Sequence, residues 1–173
     1  TNNTINSITS TATTGNPTLF GIRASVGTNN VISHNTIKDL TTAATSGDGF
    51  VFGVDVSGLS VTPKVFANKI YNLQTNASGV NTSVSGINVL LTGTTNFSFY
   101  NNFISELSAP SANSPTAVNG ISCAASSSTY SIYYNTIKLG STTPLSGGSN
   151  FGVKGIAVFE NTASTILDLR NNI

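Results

Sequence analysis
Charged side chains are scarce in this chain. Asp, Glu, Lys and Arg account for 8% of its 173 residues and sum to a net charge of +1. Ordinary soluble domains carry about a quarter. A partner held by electrostatics, such as DNA, RNA or an anionic membrane, needs clustered Lys and Arg, and the sequence has no such cluster. There is a single Cys, so no internal disulfide can form. No run of about 18 apolar residues is present, which excludes a transmembrane helix. No signal peptide is visible either, but a mature secreted chain would have lost one.

What the chain does have is Asn, Ser and Thr, about 70 of its residues, together with 16 Gly. A polar, uncharged composition of this kind suits disorder. Regularly spaced Ile, Val, Leu and Phe argue against it. The short stretches "NNTINSI", "SHNTIKDL", "ANKIYNL", "NNFISEL", "YYNTIKL" and the final "RNNI" are variants of one phrase. Their Asn residues fall at Asn3, Asn35, Asn68, Asn102, Asn135 and Asn172, in steps of 32, 33, 34, 33 and 37. A second marker, Gly followed by Ile or Val, falls at Gly21, Gly53, Gly86, Gly120 and Gly155. It lies 18 residues after the Asn four times and 20 the fifth. Two markers that keep phase define a repeat.

Asn, Thr, Ser and Gly are poor helix formers, and the apolar spacing is mostly two, as strands require. Three residues before the later Asn positions stand Ile32, Val65, Phe99, Ile132 and Leu169. Two residues after Asn stand Ile5, Ile37, Ile70, Ile104 and Ile137. Around the Gly, apolar residues recur two before it (Leu19, Val51, Val84, Val118, Val153), one after (Ile22, Val54, Ile87, Ile121, Ile156) and three after (Ala24, Val56, Val89, Cys123, Val158). A bend or bulge at the Gly returns both flanking residues to the interior. Equivalent residues stacked on one another explain these columns. The prediction is an all-β, right-handed parallel β-helix (a β-solenoid) of about five coils, each of ~33 residues and three short strands, spanning 1–173. At a strand spacing of about 4.8 Å it is a rod roughly 24 Å long. Handedness follows the usual chirality of parallel crossovers.

A residue recurring once per turn forms a ladder. A stacked Asn can bond the Asn above and below and the nearby backbone, and Asn tolerates the left-handed conformation of a tight corner. The expectation is therefore a structural ladder of Asn3, Asn35, Asn68, Asn102, Asn135 and Asn172, each at a corner. Strands are expected at 30–34, 36–40 and 50–57 and in their equivalents. The stretches 41–48, 74–83, 108–116 and 140–150, with Pro110, Pro115 and Pro144, are expected as exposed loops.

The apolar-x-x-Asn-x-Ile pattern, with a Gly-Ile strand half a coil away, resembles the secreted right-handed parallel β-helix proteins of the pectate-lyase-like superfamily. The Thr/Asn/Ser-rich, charge-poor style is most similar to repeat segments of large cell-surface adhesins of Bacteroidota-type bacteria. The resemblance implies an extracellular or cell-surface location. It also implies a non-catalytic structural and adhesive role, or alternatively a polysaccharide lyase, a glycoside hydrolase or its carbohydrate-binding part. Implied partners are surface polysaccharide or other cell-surface proteins. Both ends stand at Asn corners without a cap, so the expectation is a window of a longer solenoid, whose further coils are partners too.

No catalytic, cofactor-binding or metal-binding residue is assigned from the sequence. Glycoside hydrolysis needs two carboxyl groups about 5–9.5 Å apart. The acids are Asp39, Asp48, Asp55, Glu106, Glu160 and Asp168. Asp39 and Glu106 share a column, but Asn72 lies between them, at two steps or roughly 10 Å. Asp55, between Arg23 and Asn88, reads as a surface ion pair. Calcium needs convergent oxygen ligands, and no such group is present. His34, before a corner Asn, reads as a turn residue, and Cys123 as a small core hydrophobe. One stripe suggests binding. Two residues before each Asn, facing outward, stand Ser33, Phe66, Tyr100, Tyr133 and Arg170. Phe66, Tyr100, Tyr133 and Arg170 are a candidate ligand stripe for sugar rings; the plainer reading is a stabilising cross-strand ladder.

Overall fold
A computed structural model describes residues 1–60, 62–91, 95–140, 152–159 and 164–173, with backbone alone at 59, 60 and 91. It is a β-solenoid of stacked parallel sheets with three strands to the coil. The before-corner sheet holds Val31–Ser33, Lys64–Phe66, Asn96–Tyr100, Thr129–Tyr133 and Ile166–Arg170. The after-corner sheet holds Thr4–Ile5, Thr36–Thr42, Lys69–Thr75, Phe103–Ser108 and Thr136–Lys138, and Ile8–Ser10 also pairs with its second strand. The glycine sheet holds Thr18–Gly27, Phe50–Ser60, Ser83–Leu91, Val118–Ala125 and Val153–Val158. Registers match the repeat: Ile37 pairs with Ile70 and Ile70 with Ile104, Ile104 with Ile137, and Val54 with Ile87.

The columns close inward. Ile37, Ile70, Ile104, Val54, Ile87, Ile121, Val56, Val89 and Cys123 are fully buried. In the outermost layers the same columns are only half-buried, at Ile5, Ile22, Ile137 and Ile156. A further column, Leu40, Leu73 and Leu107, is also sealed within, as are Phe97 and Tyr130. These two rings stack at 5.0 Å, and the Tyr130 hydroxyl donates to the Ala125 carbonyl at 2.9 Å. Each buried aliphatic side chain contributes roughly 1.5–3 kcal/mol, an upper figure for a compact unfolded chain. Six such columns per layer outweigh hydrogen bonds worth about 1 kcal/mol net each. The core holds the coils together; the polar ladder decides which residue sits on which.

Ile37 and Leu40 are three apart, yet both point inward. The chain manages this with a left-handed residue four positions after the Asn: Ser7, Asp39, Asn72 and Glu106 have φ of 53 to 56°. The registers skip that position, passing from Lys38–Tyr71 to Leu40–Leu73. It is a bulge repeated in successive layers. The Gly column is skipped in the same way, from Phe52–Ser85 to Val54–Ile87. Its glycines are chosen for space. A Cβ on Gly21 would lie 2.5 Å from Ile37 Cγ2 and 2.6 Å from the Gly53 carbonyl oxygen.

Three expectations need correction. The left-handed residue at the corner is the one before the Asn: Asn2, His34, Ala67, Asn101, Tyr134 and Asn171 have φ of 49 to 58°. The Asn itself is left free to pair. The loops are not simply exposed. Thr42, Ala44, Thr75, Ala77, Thr82, Ala109, Ala112 and Ser114 are buried, and the Thr42 and Thr75 hydroxyls meet at 2.6 Å. These loops cover polar pairs as well as connecting strands. Ser33 does not face solvent, being 2% exposed. Most of the 140–150 loop, with Pro144, and Glu160 lie outside the described residues.

Candidate functional surfaces
The Asn ladder is continuous. Each Nδ2 donates to the Oδ1 of the Asn in the next coil: Asn3 to Asn35 at 3.1 Å, Asn35 to Asn68 at 2.9 Å, Asn68 to Asn102 at 3.0 Å, Asn102 to Asn135 at 2.9 Å and Asn135 to Asn172 at 3.0 Å. The backbone N–H of each donor Asn reaches the same Oδ1 at 3.0 or 3.1 Å. The second amide hydrogen ties back to the previous coil, from Asn68 to the Ile32 carbonyl and from Asn102 to the Val65 carbonyl, both at 2.9 Å. Asn35, Asn68, Asn102 and Asn135 are buried. Their amides are fully committed to the scaffold.

The stripe lies on the before-corner sheet. Phe66 and Tyr100 stack at 4.7 Å with planes 5° apart, so their ring normals run along the rod. His34 meets Phe66 edge-on at 5.5 Å. The Arg170 guanidinium lies over Tyr133 at 5.3 Å, and the Tyr133 hydroxyl donates to Asp168 Oδ2 at 2.7 Å. Asp168 also accepts two bonds from Arg170, at 2.9 and 2.8 Å. These donors, Arg170 first and Tyr133 second, hold the Asp168 carboxyl below the usual carboxylate range. Part of each ring face is thus taken up within the protein, and the stripe offers solvent mainly ring edges and hydroxyls.

Four of the five described acids have structural partners; the exposed Glu106 has none among the described residues. Asp39 accepts from Asn72 Nδ2 at 2.6 Å, and this bond, ahead of the neighbouring Lys38, lowers its pKa. Asp48 accepts from the Asn81 backbone and side chain at 2.9 and 3.0 Å. Asp55 corrects the sequence reading: it is 2% exposed, not a surface residue. Its carboxylate accepts from Ser57 at 2.8 Å and Asn88 at 2.8 Å and faces Arg23 Nε at 3.3 Å. Burial pushes the Cys123 thiol far up. Among the described residues no three His, Cys, Asp or Glu gather into a metal site.

Around Asp55 the outer face of the glycine sheet forms a groove of about 410 Å³. Phe20, Phe50 and Phe52 form one side. They are tilted against one another rather than stacked, at 39° and 38°. Asn119 lines the groove and Phe159 stands on the far layer. The columns signalled it only in part: Arg23, Asp55, Asn88 and Ser122 stack as the repeat requires. The Phe cluster and Asn119 escaped because they recur in only one or two coils.

Fold and ladder together define a parallel β-solenoid repeat protein. No protein-family model, no curated protein and no solved structure matches this chain.

Proposed function
We propose that this chain is a non-catalytic structural and adhesive segment of an extracellular or cell-surface protein, a stiff rod whose outer faces touch surface polysaccharide. The observation that carries this reading is the Asn ladder. Its amides bridge every coil and serve the scaffold alone. The acids add support, since Asp39, Asp48, Asp55 and Asp168 are each held by neighbouring side chains rather than standing as a free pair over a cleft. A charge-poor outer surface suits neutral, hydroxyl-rich partners better than ionic ones. Further coils of a parent chain and other cell-surface proteins are additional partners in this reading.

The test is retention on a panel of immobilised polysaccharides, with assays for new reducing ends and unsaturated uronides run alongside. Retention without turnover is expected. Turnover abolished by Asp55→Ala would establish the polysaccharide-cleaving alternative instead. Tyr100→Ala reports on the stripe: reduced retention with an unchanged melting temperature makes it a contact surface, and unchanged retention leaves it a stabilising ladder.

A further inference from the structure
The groove on the glycine sheet combines features that the stripe lacks. One outward column runs through Phe20, Phe52, Ser85, Asn119 and Lys154 in successive layers. It is aromatic at one end and amide and hydroxyl in the middle. Asn119 is 1% exposed. Its Nδ2 donates to the Thr116 carbonyl at 2.9 Å, which turns Oδ1 the other way, and that oxygen has no partner in the protein. Ser85, one layer away, is fully buried and does not line the groove. Leaving a buried polar atom unpaired costs about 1–3 kcal/mol, so the Asn119 oxygen at the groove calls for a ligand donor. Oδ1 can only accept. A sugar hydroxyl supplies the donor.

The rest of the groove narrows the class. Phe20, Phe50 and Phe52 are half-buried and tilted rather than stacked; the Arg23 guanidinium lies over Phe20 at 4.7 Å, and the ring surface it leaves suits the C–H side of a pyranose ring. The lining charges are Arg23 and Asp55, and they neutralise each other at 3.3 Å. The lining itself therefore carries no net charge; Lys154, beyond Asn119 in the column, is bound to the Pro115 carbonyl and lies over Phe159. The volume, about 410 Å³, lies in the range of small-molecule sites, about 300–1,000 Å³. An apolar peptide would fill the aromatic side but leave Asn119 Oδ1 unpaired.

We propose that this groove is a saccharide subsite for one or two neutral pyranose units, with Asn119 as the hydroxyl-reading residue and the Phe20–Phe52 side as the ring platform. The proposal rests on the adhesive reading above and moves its principal glycan contact from the stripe to the opposite part of the coil. The probes are methyl glucoside, methyl galactoside, methyl mannoside and cellobiose, with glucuronate as the charged control. They are titrated by calorimetry and by saturation-transfer NMR on the intact chain. At least one neutral probe is expected to bind, with transfer from Phe protons. Asn119→Ala and Phe20→Ala should each weaken it roughly tenfold, while Tyr100→Ala leaves it unchanged. Phe20 sits in an outer layer, so its variant reports even where Asn119→Ala does not fold. The subsite is overturned where no neutral probe binds, where glucuronate binds better, or where both groove variants bind like the parent. Binding lost only in Tyr100→Ala overturns the groove and keeps the adhesive rod, whereas no retention of any polysaccharide removes both.

Discussion
A single asparagine in the middle of the rod makes four side-chain bonds to three neighbours at once. Asn102 Oδ1 accepts from the Asn68 backbone and side chain at 3.1 and 3.0 Å. Its Nδ2 donates to Asn135 Oδ1 and the Val65 carbonyl, both at 2.9 Å. Asn102→Ala strands the buried Asn68 backbone N–H and takes one partner each from Asn68 Nδ2, Asn135 Oδ1 and the Val65 carbonyl. At about 1–3 kcal/mol for each orphaned group, partly relieved by local adjustment, the loss should be about 3 kcal/mol. Asn3 is exposed at the other extreme, where water replaces the lost bonds, so Asn3→Ala should lose less than about 1 kcal/mol. Urea denaturation of both variants checks the ratio; equal losses would mean that the ladder contributes no more inside than outside. At this scale the sequence named the ladder correctly because one residue type recurs in one slot. It misplaced the left-handed turn. The residue that takes it is His34, Ala67 or Tyr134 as readily as Asn2 or Asn101, so no shared side chain marks the position.

Among the strands, the glycine column controls how closely two sheets approach. At Gly86 an added Cβ would meet Ile104 Cγ2 at 2.5 Å and the Gly120 carbonyl oxygen at 2.8 Å. One of those neighbours is main chain and cannot swing away. Gly86→Ala should therefore destabilise by about 1–3 kcal/mol, the usual range for overpacking. Gly155 has nothing within 4 Å of the same atom, and Gly155→Ala should change stability by less than about 0.5 kcal/mol. Melting temperatures of the pair, recorded side by side, decide whether space is the reason for the column; a harmless Gly86→Ala would refute it. The strand columns themselves were readable because period two survives between bulges. The Leu40, Leu73 and Leu107 column was missed because the left-handed bulge at Asp39, Asn72 and Glu106 shifts the phase by one. The burial of Asp55 was missed for another reason: it depends on Ser57, Asn88 and Arg23 closing around it, which no one-dimensional spacing reveals.

The whole molecule is close to one-dimensional, each layer touching its neighbours. That modularity has a direct test. The step from Asn68 to Asn102 is 34 residues, so deletion of residues 69–102 joins Asn68 to Phe103 and preserves every column. The shortened chain should fold with parent-like circular dichroism and a rod shorter by about one strand spacing, 4.8 Å, measured by small-angle scattering. Deletion of residues 69–95 removes part of a period and throws every later column out of phase; that chain should not fold cooperatively. If both deletions behave alike, stacking of equivalent positions is not what holds the molecule together. This architecture was the most legible level of all, since the Asn and Gly markers report the same period independently.

The backbone bonds between coils run in both senses: the Asn2 N–H reaches forward to Ser33, while the Thr36 N–H reaches back to Asn3. The side-chain amides of the ladder do not alternate. In every amide-to-amide bond along Asn3, Asn35, Asn68, Asn102 and Asn135 the N–H points toward the later coil and the accepting oxygen toward the earlier one. Aligned dipoles of this kind give the fibre an arrow, negative toward its beginning and positive toward its end, much as summed peptide dipoles polarise a helix. Joining two such bodies through this track is therefore permitted tail to head and forbidden face to like face, because oxygen would meet oxygen or hydrogen meet hydrogen.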